Sequence, residues 1–162
     1  TDDILPLVAL TEHYPVAVRF IEEMPFNGEG SHYPVLHWNI HRILETIRGT
    51  YPSLSKIEDA PHSTSYNYHV PGFKGNIGVI AAFSRTFCGT CNRIRMTAQG
   101  ELKTCLYDEG VLSIRDLIRS GISNEELKGV FINTFQKRAK DGFEAEKRRT
   151  KLVTESMTTI GG

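Results

Sequence analysis

The chain has 162 residues, 40% of them apolar and 23% charged, an ordinary balance for a globular protein with a core of its own. Nineteen basic and nineteen acidic residues cancel, so composition gives no push towards nucleic acid or a membrane surface, and no apolar run approaches the ~20 residues that span a bilayer. Three cysteines are an odd number; they fit poorly with a secreted disulfide framework and point to a reducing cytoplasm, where clustered thiols mean metal or redox chemistry.

Thr1 opens the sequence with neither an initiator Met nor a leader, as if the chain were cut from something longer. Residues 3–14 read as a short helix ending before Pro15, because a residue preceding proline avoids the α region. Residues 16–21 are β-branched and nearly continuous, the pattern of a strand covered on both faces in a parallel sheet. Arg19 lies inside that run and needs a partner, structural or ligand, since an unpaired interior charge is costly. A Gly- and Asn-containing loop follows from Pro25 to Pro34. Residues 35–48 then read as a helix with Leu36, Ile40, Ile43, Leu44 and Ile47 on one side and Gly49 as its cap. His37 and His41 stand four apart on that helix, close enough to share a metal, although such a pair is more often surface decoration.

From Leu54 the texture changes to short strands. Residues 65–70 and 76–83 flank a Pro71-Gly72 turn. Residues 93–97 and 101–106 flank Ala98-Gln99-Gly100, a hairpin signal. Ser113 with Asp116 and Ser123 with Glu126 open two helices, the second carrying Leu127, Val130, Phe131 and Phe135 at helical spacing. The basic run from Lys147 to Lys151 reads as a solvated tail, and the chain ends at Gly161-Gly162.

Cys88, Cys91 and Cys105 form a C-x2-C-x13-C pattern. Two cysteines at that spacing can aim both sulfurs at one metal, and the hairpin can return the third. If Gly100 takes the left-handed conformation, Thr97 pairs with Glu101, Arg95 with Lys103 and Arg93 with Cys105. Alternation then gathers Cys91, Arg93, Arg95, Lys103 and Cys105 on one face, a metal site beside an anion site. A redox pair is the lesser reading, since a thioredoxin-like motif opens a helix and this one precedes a hairpin. A structural zinc site needs a fourth ligand, for which His69 would have to fold in. All-thiolate ligation allows either zinc or an iron–sulfur cluster.

The run Phe87-Cys88-Gly89-Thr90-Cys91-Asn92-Arg93-Ile94-Arg95-Met96-Thr97, with Gly100, Leu102 and Cys105-Leu106, resembles the C-terminal region of the molybdenum cofactor biosynthesis protein A family. These are the radical S-adenosylmethionine enzymes called GTP 3′,8-cyclases. The likeness extends to residues 18–25, to residues 76–80 and to the Gly161-Gly162 ending. It implies an α+β chain: the C-terminal part of an incomplete TIM-like α/β barrel over residues 1–53, then an antiparallel sheet with packed helices and the cysteine cluster over 54–162. It further implies that Cys88, Cys91 and Cys105 hold a 4Fe-4S cluster with one iron open to the guanine of GTP. Arg93, Ile94 and Arg95 would line the GTP site, with the two arginines in the catalytic role. Met24 would border S-adenosylmethionine, and Arg19 would point towards the substrate. In the family a second 4Fe-4S cluster, on an N-terminal C-x3-C-x2-C motif, cleaves S-adenosylmethionine to start the conversion of GTP to its 3′,8-cyclic product.

No C-x3-C-x2-C motif occurs here, because the three cysteines are already used. The resemblance therefore implies a C-terminal fragment without the radical-generating half, inactive alone, prone to homo-oligomerise through its orphaned strand, and tailed by glycines that reach the active site. Two other classes are a zinc-bound structural module that offers its arginines to nucleic acid, and an interaction domain that keeps the family fold without its chemistry. Balanced charge and the missing fourth ligand oppose the first.

Overall fold

The computed structural model describes residues 2–26, 36–152 and 154–160. The chain is a mixed α+β protein of two compact units, one made of Thr1–Met24 with Pro34–Cys91 and the other of Pro25–Tyr33 with Asn92–Gly162.

The first unit is built on helix α1 (Ile4–His13), strand β1 (Ala17–Ile21), helix α2 (Ile40–Thr50) and strands β2 (Ser55–Lys56), β3 (Ser65–His69) and β4 (Asn76–Ile80). The sheet runs β1-β4-β3-β2. β1 lies parallel to β4, and the other pairs are antiparallel. Ile4, Val8, Ile43, Leu44, Ile47, Ile77 and Val79 form the buried core, where α1 and α2 meet one face of the sheet. Burying a side chain of this size contributes about 1.5–3 kcal/mol, which outweighs the weak propensity of so β-branched a set for helix.

Two expectations change here. β1 is not covered on both faces: Val18 and Phe20 are half-buried while Ala17, Arg19 and Ile21 are exposed. Its one paired neighbour is β4, so the described residues cover a single side. α2 begins at Ile40, because the Asn39 side chain accepts from Arg42 N at 2.9 Å and caps it. Leu36 and His37 therefore precede the helix, which removes the helical pairing of His37 with His41. Gly49 lies inside the helix, and Tyr51 caps it through N–H to Ile47 O.

The second unit holds strands β5 (Arg95–Met96), β6 (Glu101–Lys103) and β7 (Leu112–Ser113) and helices α3 (Ile114–Arg119), α4 (Asn124–Gln136) and α5 (Gly142–Lys147). Its sheet is antiparallel, in the order β5-β6-β7. Ser113 caps α3, and Ser123 with Glu126 closes a full capping box on α4, both as the sequence spacing implies. α4 carries no fully buried residue; Phe131 and Phe135 are half-buried and stack on each other at 5.9 Å. Leu102, Tyr107, Ile114, Ala145 and Ile160 supply the buried apolar positions. No helix among the described residues is long and apolar enough to cross a membrane.

Candidate functional site

Cys88 and Cys91 sit on the last described stretch of the first unit. After β4 the chain leaves the sheet, passes through Arg85 in a left-handed conformation at φ +55°, and enters a 3-10 turn over Cys88–Thr90. Cys88 N donates to Arg85 O and Cys91 N to Cys88 O, each at 3.2 Å. Both cysteines are half-buried, and none of the chain's three cysteines is in a disulfide. The turn is tied to other elements of its unit. A ring nitrogen of His62 stands 2.7 Å from Thr90 O, and Tyr66 Oη donates to Thr86 Oγ1 at 3.0 Å. His69, the one candidate for a fourth ligand, instead places Nδ1 3.1 Å from Gly75 O.

The exposed side of β1 adds a polar row. Arg19 aligns with Gly78 on β4, and Asn67 of β3 faces Gly78 from the other side. Gly78 has no side chain, so Arg19 can lie across it. A Cβ at Gly78 would stand 2.6 Å from Arg19 Cδ and 2.8 Å from its Nε. Arg19 Nη1 donates to Asn76 Oδ1 at 2.7 Å. Arg19 thus has its partner, yet stays exposed rather than enclosed in the strand. Met24, half-buried, closes the same segment.

In the second unit the hairpin follows the expected register at its tip. Arg95 aligns with Lys103, Thr97 N donates to Glu101 O at 2.9 Å, and Gly100 has φ +81°. The ladder stops there. Arg93 and Cys105 fall outside β5 and β6, so strand alternation does not set a shared face for them. Arg93 and Ile94 are exposed and Arg95 half-buried. Cys105 is instead fixed by Asp108: one carboxylate oxygen accepts from Thr104 N, Thr104 Oγ1 and Cys105 N at 2.8–3.0 Å, and the other accepts from Gly110 N at 3.0 Å.

Lys103 also departs from the expected anion-binding face. It is 2% exposed, and its Nζ is 3.4 Å from Glu155 Oε1. Arg149 meets both oxygens of the same carboxylate at 3.0–3.1 Å and donates to Asp108 O at 2.9 Å. The Arg149 side chain is only 5% exposed, so the basic run is anchored at that residue, while Lys147, Arg148 and Lys151 stay exposed. Glu109 adds to the anchor by accepting from Thr150 N, Thr150 Oγ1 and Lys151 N. Burial alone would raise the Glu155 carboxyl; bonds from its own amide, Arg149 and Lys103 outweigh that and hold it below its ordinary value. A cavity of about 370 Å³ in this unit lies between Asp108, Lys137, Arg138 and Arg148 and includes none of the cysteines or of Arg93, Ile94 and Arg95.

Within either unit, no three His, Cys, Asp or Glu side chains among the described residues converge as a metal site; Cys88 and Cys91 belong to the first unit and Cys105 to the second. The donor chemistry nonetheless fits an iron–sulfur cluster: three thiols outside any disulfide, two of them on one fixed turn. Gly161 and Gly162 lie outside the described residues. Sequence reasoning missed Glu22, His62, Asp108, Arg149 and Glu155 as organisers of these segments. The one local signal was the charge that ends an apolar strand at Glu22.

Residues 16–144 match the model of the family described as Molybdenum Cofactor Synthesis C. The mouse protein "Molybdenum cofactor biosynthesis protein 1" is 45% identical over 132 residues, which is 78% of this chain and 20% of the relative. The "GTP 3′,8-cyclase" of Chlorobaculum tepidum is 34% identical over 162 residues, 99% of this chain and 48% of the relative. The Arabidopsis thaliana protein "GTP 3′,8-cyclase, mitochondrial" is 32% identical over 167 residues, 99% of this chain and 41% of the relative. The chain spans less than half the length of each of these relatives.

Proposed function

Because the chain belongs to the Molybdenum Cofactor Synthesis C family, we propose that it forms the C-terminal, cluster- and GTP-binding part of a GTP 3′,8-cyclase. Such an enzyme uses S-adenosylmethionine to convert GTP to (8S)-3′,8-cyclo-7,8-dihydroguanosine 5′-triphosphate in molybdenum cofactor biosynthesis. In this reading residues 1–53 are the last units of an incomplete TIM-like barrel, and residues 54–162 bind the cluster and the nucleotide. The observation that carries it is the Cys88–Cys91 turn: two half-buried thiols, outside any disulfide, on one 3-10 turn.

Cys88, Cys91 and Cys105 would hold a 4Fe-4S cluster. Three thiolates would leave one iron open, and the group would supply a Lewis-acidic contact for guanine. The chain's own residues do the rest. Arg93 and Arg95 present guanidinium forks that match phosphate oxygens and can also donate to a guanine carbonyl. Ile94, 50% exposed between them, offers an apolar surface to the base. Arg19, laid across Gly78 and braced by Asn76, directs a third cation over the sheet face. Met24 would border S-adenosylmethionine, whose own 4Fe-4S cluster needs a C-x3-C-x2-C motif that this sequence lacks. The chain alone therefore binds without turnover. A reducing cytoplasm suits three thiols outside disulfides.

Anaerobic reconstitution with iron and sulfide tests the reading. It should give broad thiolate-to-iron absorption and about four irons per chain, lost on Cys88→Ser or Cys105→Ser. One tightly held zinc that iron and sulfide do not displace would defeat it.

A further inference from the structure

Glu22 is 1% exposed, and its carboxyl group accepts four hydrogen bonds within the first unit. Oε1 accepts from Ile40 N at 2.9 Å and from Ser84 Oγ at 2.8 Å. Oε2 accepts from Phe83 N at 3.1 Å and from Ser84 N at 2.7 Å. An enclosed carboxyl group without partners is strongly disfavoured, and here each oxygen has two donors.

The donors fall into two groups. Ile40 N is the first amide of α2, one of the four that a helix leaves without an internal partner. Phe83 and Ser84 belong to the irregular stretch after β4, where no strand ladder serves their amides. Cys88 lies four positions beyond Ser84, at most about 14 Å of chain. The same stretch is held again on either side of Cys88, by Tyr66 at Thr86 before it and by His62 at Thr90 after it. Side chains from three separate segments thus fix residues 83–90 at three points. Glu22 holds the point nearest the sheet, and it is also the one with most bonds.

We infer that Glu22 is a positioning residue for the cysteine turn, fixing the segment that presents Cys88 and Cys91 before any metal binds. The inference rests on the reading of these cysteines as cluster ligands, and it adds to it a residue that touches neither metal nor substrate. The geometry explains why an acid, and not an amide, directly follows β1. A glutamine, whichever way it is turned, would set its NH2 group against at least one backbone N–H (Ile40 on one side, Phe83 and Ser84 on the other) and forfeit that bond.

Glu22→Gln and Ser84→Ala, made in the chain as it stands, separate the inference from the reading beneath it. In the metal-free protein, amide exchange at Phe83, Ser84 and Cys88 should rise at least tenfold in Glu22→Gln, with the amides of α1 and β3 unchanged. Ser84→Ala, which removes one bond of four, should raise it by a smaller factor at the same amides. After anaerobic reconstitution, iron bound by Glu22→Gln should fall to half or less, and the electron paramagnetic resonance signal of the reduced cluster should shift or broaden. Glu22→Asp, which restores the carboxyl group, should recover part of both effects. Wild-type protein that takes up no iron would refute the ligand reading, while exchange still decides whether Glu22 fixes the turn. Unchanged local exchange, or exchange that rises equally throughout the unit, would overturn the positioning role. So would local exchange that rises while iron content and signal stay at the wild-type level.

Discussion

Lys103 is enclosed to 2% exposure, and its ammonium group stands 3.4 Å from the Glu155 carboxylate, which Arg149 also grips from a 5%-exposed position. One acid therefore contacts two cations that water scarcely reaches. Removing one partner of a buried pair costs about 3–5 kcal/mol, because the other charge is left without compensation. Glu155 itself is 24% exposed, so solvent screening reduces that figure. Glu155→Gln should lower the unfolding free energy by about 2 kcal/mol, read from urea denaturation. An unchanged midpoint would mean that water, and not Glu155, balances Lys103 and Arg149.

The same group gives a pH dependence. Its folded carboxyl lies below its ordinary value, despite burial, because its own amide, Arg149 and Lys103 favour the charged form. A depressed folded pKa gives stability that is present above the unfolded value and lost as pH falls through the folded one. Wild-type protein should thus lose stability on acidification below about pH 4.5, in the ordinary glutamate range. In Glu155→Gln that slope should flatten. Parallel pH curves for the two proteins would show that other carboxyl groups carry the acid sensitivity.

The tip of the hairpin and the two Ser-led helix starts were legible because each is local. Gly100 supplies a left-handed turn, and a Ser with an acid three residues on closes a cap. Those interactions need no distant partner, so spacing alone reveals them. Glu22 with Phe83 and Ser84, or Lys103 with Glu155, joins residues some fifty to sixty positions apart. No periodicity encodes such a pair. β1 misled for a related reason: an apolar run states what a strand can bury, and neighbours decide what it does bury. The cysteines stand out by their spacing, and their role as ligands rests on that motif, whereas nothing in the spacing signals the Asp108 bonds that fix Cys105.

β1 leaves its outer edge without a described strand, beside Val16 at 41% and Ile21 at 56% exposure. Leu7, Leu10 and Tyr14 add exposed apolar surface within the same unit. Open edges and contiguous apolar patches recruit other chains. Light scattering should show concentration-dependent association, and Ile21→Lys should weaken it by placing charge beside the edge. A monodisperse monomer at high concentration would contradict this.

Arg93 is exposed and Arg95 half-buried, and both belong to the segment that follows the cysteine turn. If they serve the nucleotide, Arg93→Ala should change stability by roughly ±0.5 kcal/mol, as surface substitutions do. Arg95→Ala should cost no more than about 1 kcal/mol on the same grounds. Each should cost turnover in a complete cyclase at least about tenfold, or ~1.4 kcal/mol of barrier. Large stability losses with near-normal turnover would assign both arginines to the fold.

Gly78 offers a way to test Arg19 without touching it. A Cβ there would stand 2.6 Å from Arg19 Cδ and crowd Ser65 Oγ as well. Both obstacles are side-chain atoms and not backbone, Arg19 Cδ partway along its chain and Ser65 Oγ bonded to Asn67 Oδ1, so the fold can yield at a cost of about 1–3 kcal/mol, the range for overpacking. Arg19 cannot yield without leaving its course across the sheet, which breaks its 2.7 Å bond to Asn76. If that course directs Arg19 at the nucleotide, Gly78→Ala should weaken GTP binding about as much as Arg19→Ala does. The double variant should then bind no worse than either single one, since both remove the same contact. Binding titrations of the four proteins in a complete cyclase close this cycle, and denaturation of the same four reports the fold separately. Losses that add would show that Gly78 and Arg19 act apart, and that Arg19 braces the sheet through Asn76 and leaves the substrate to others.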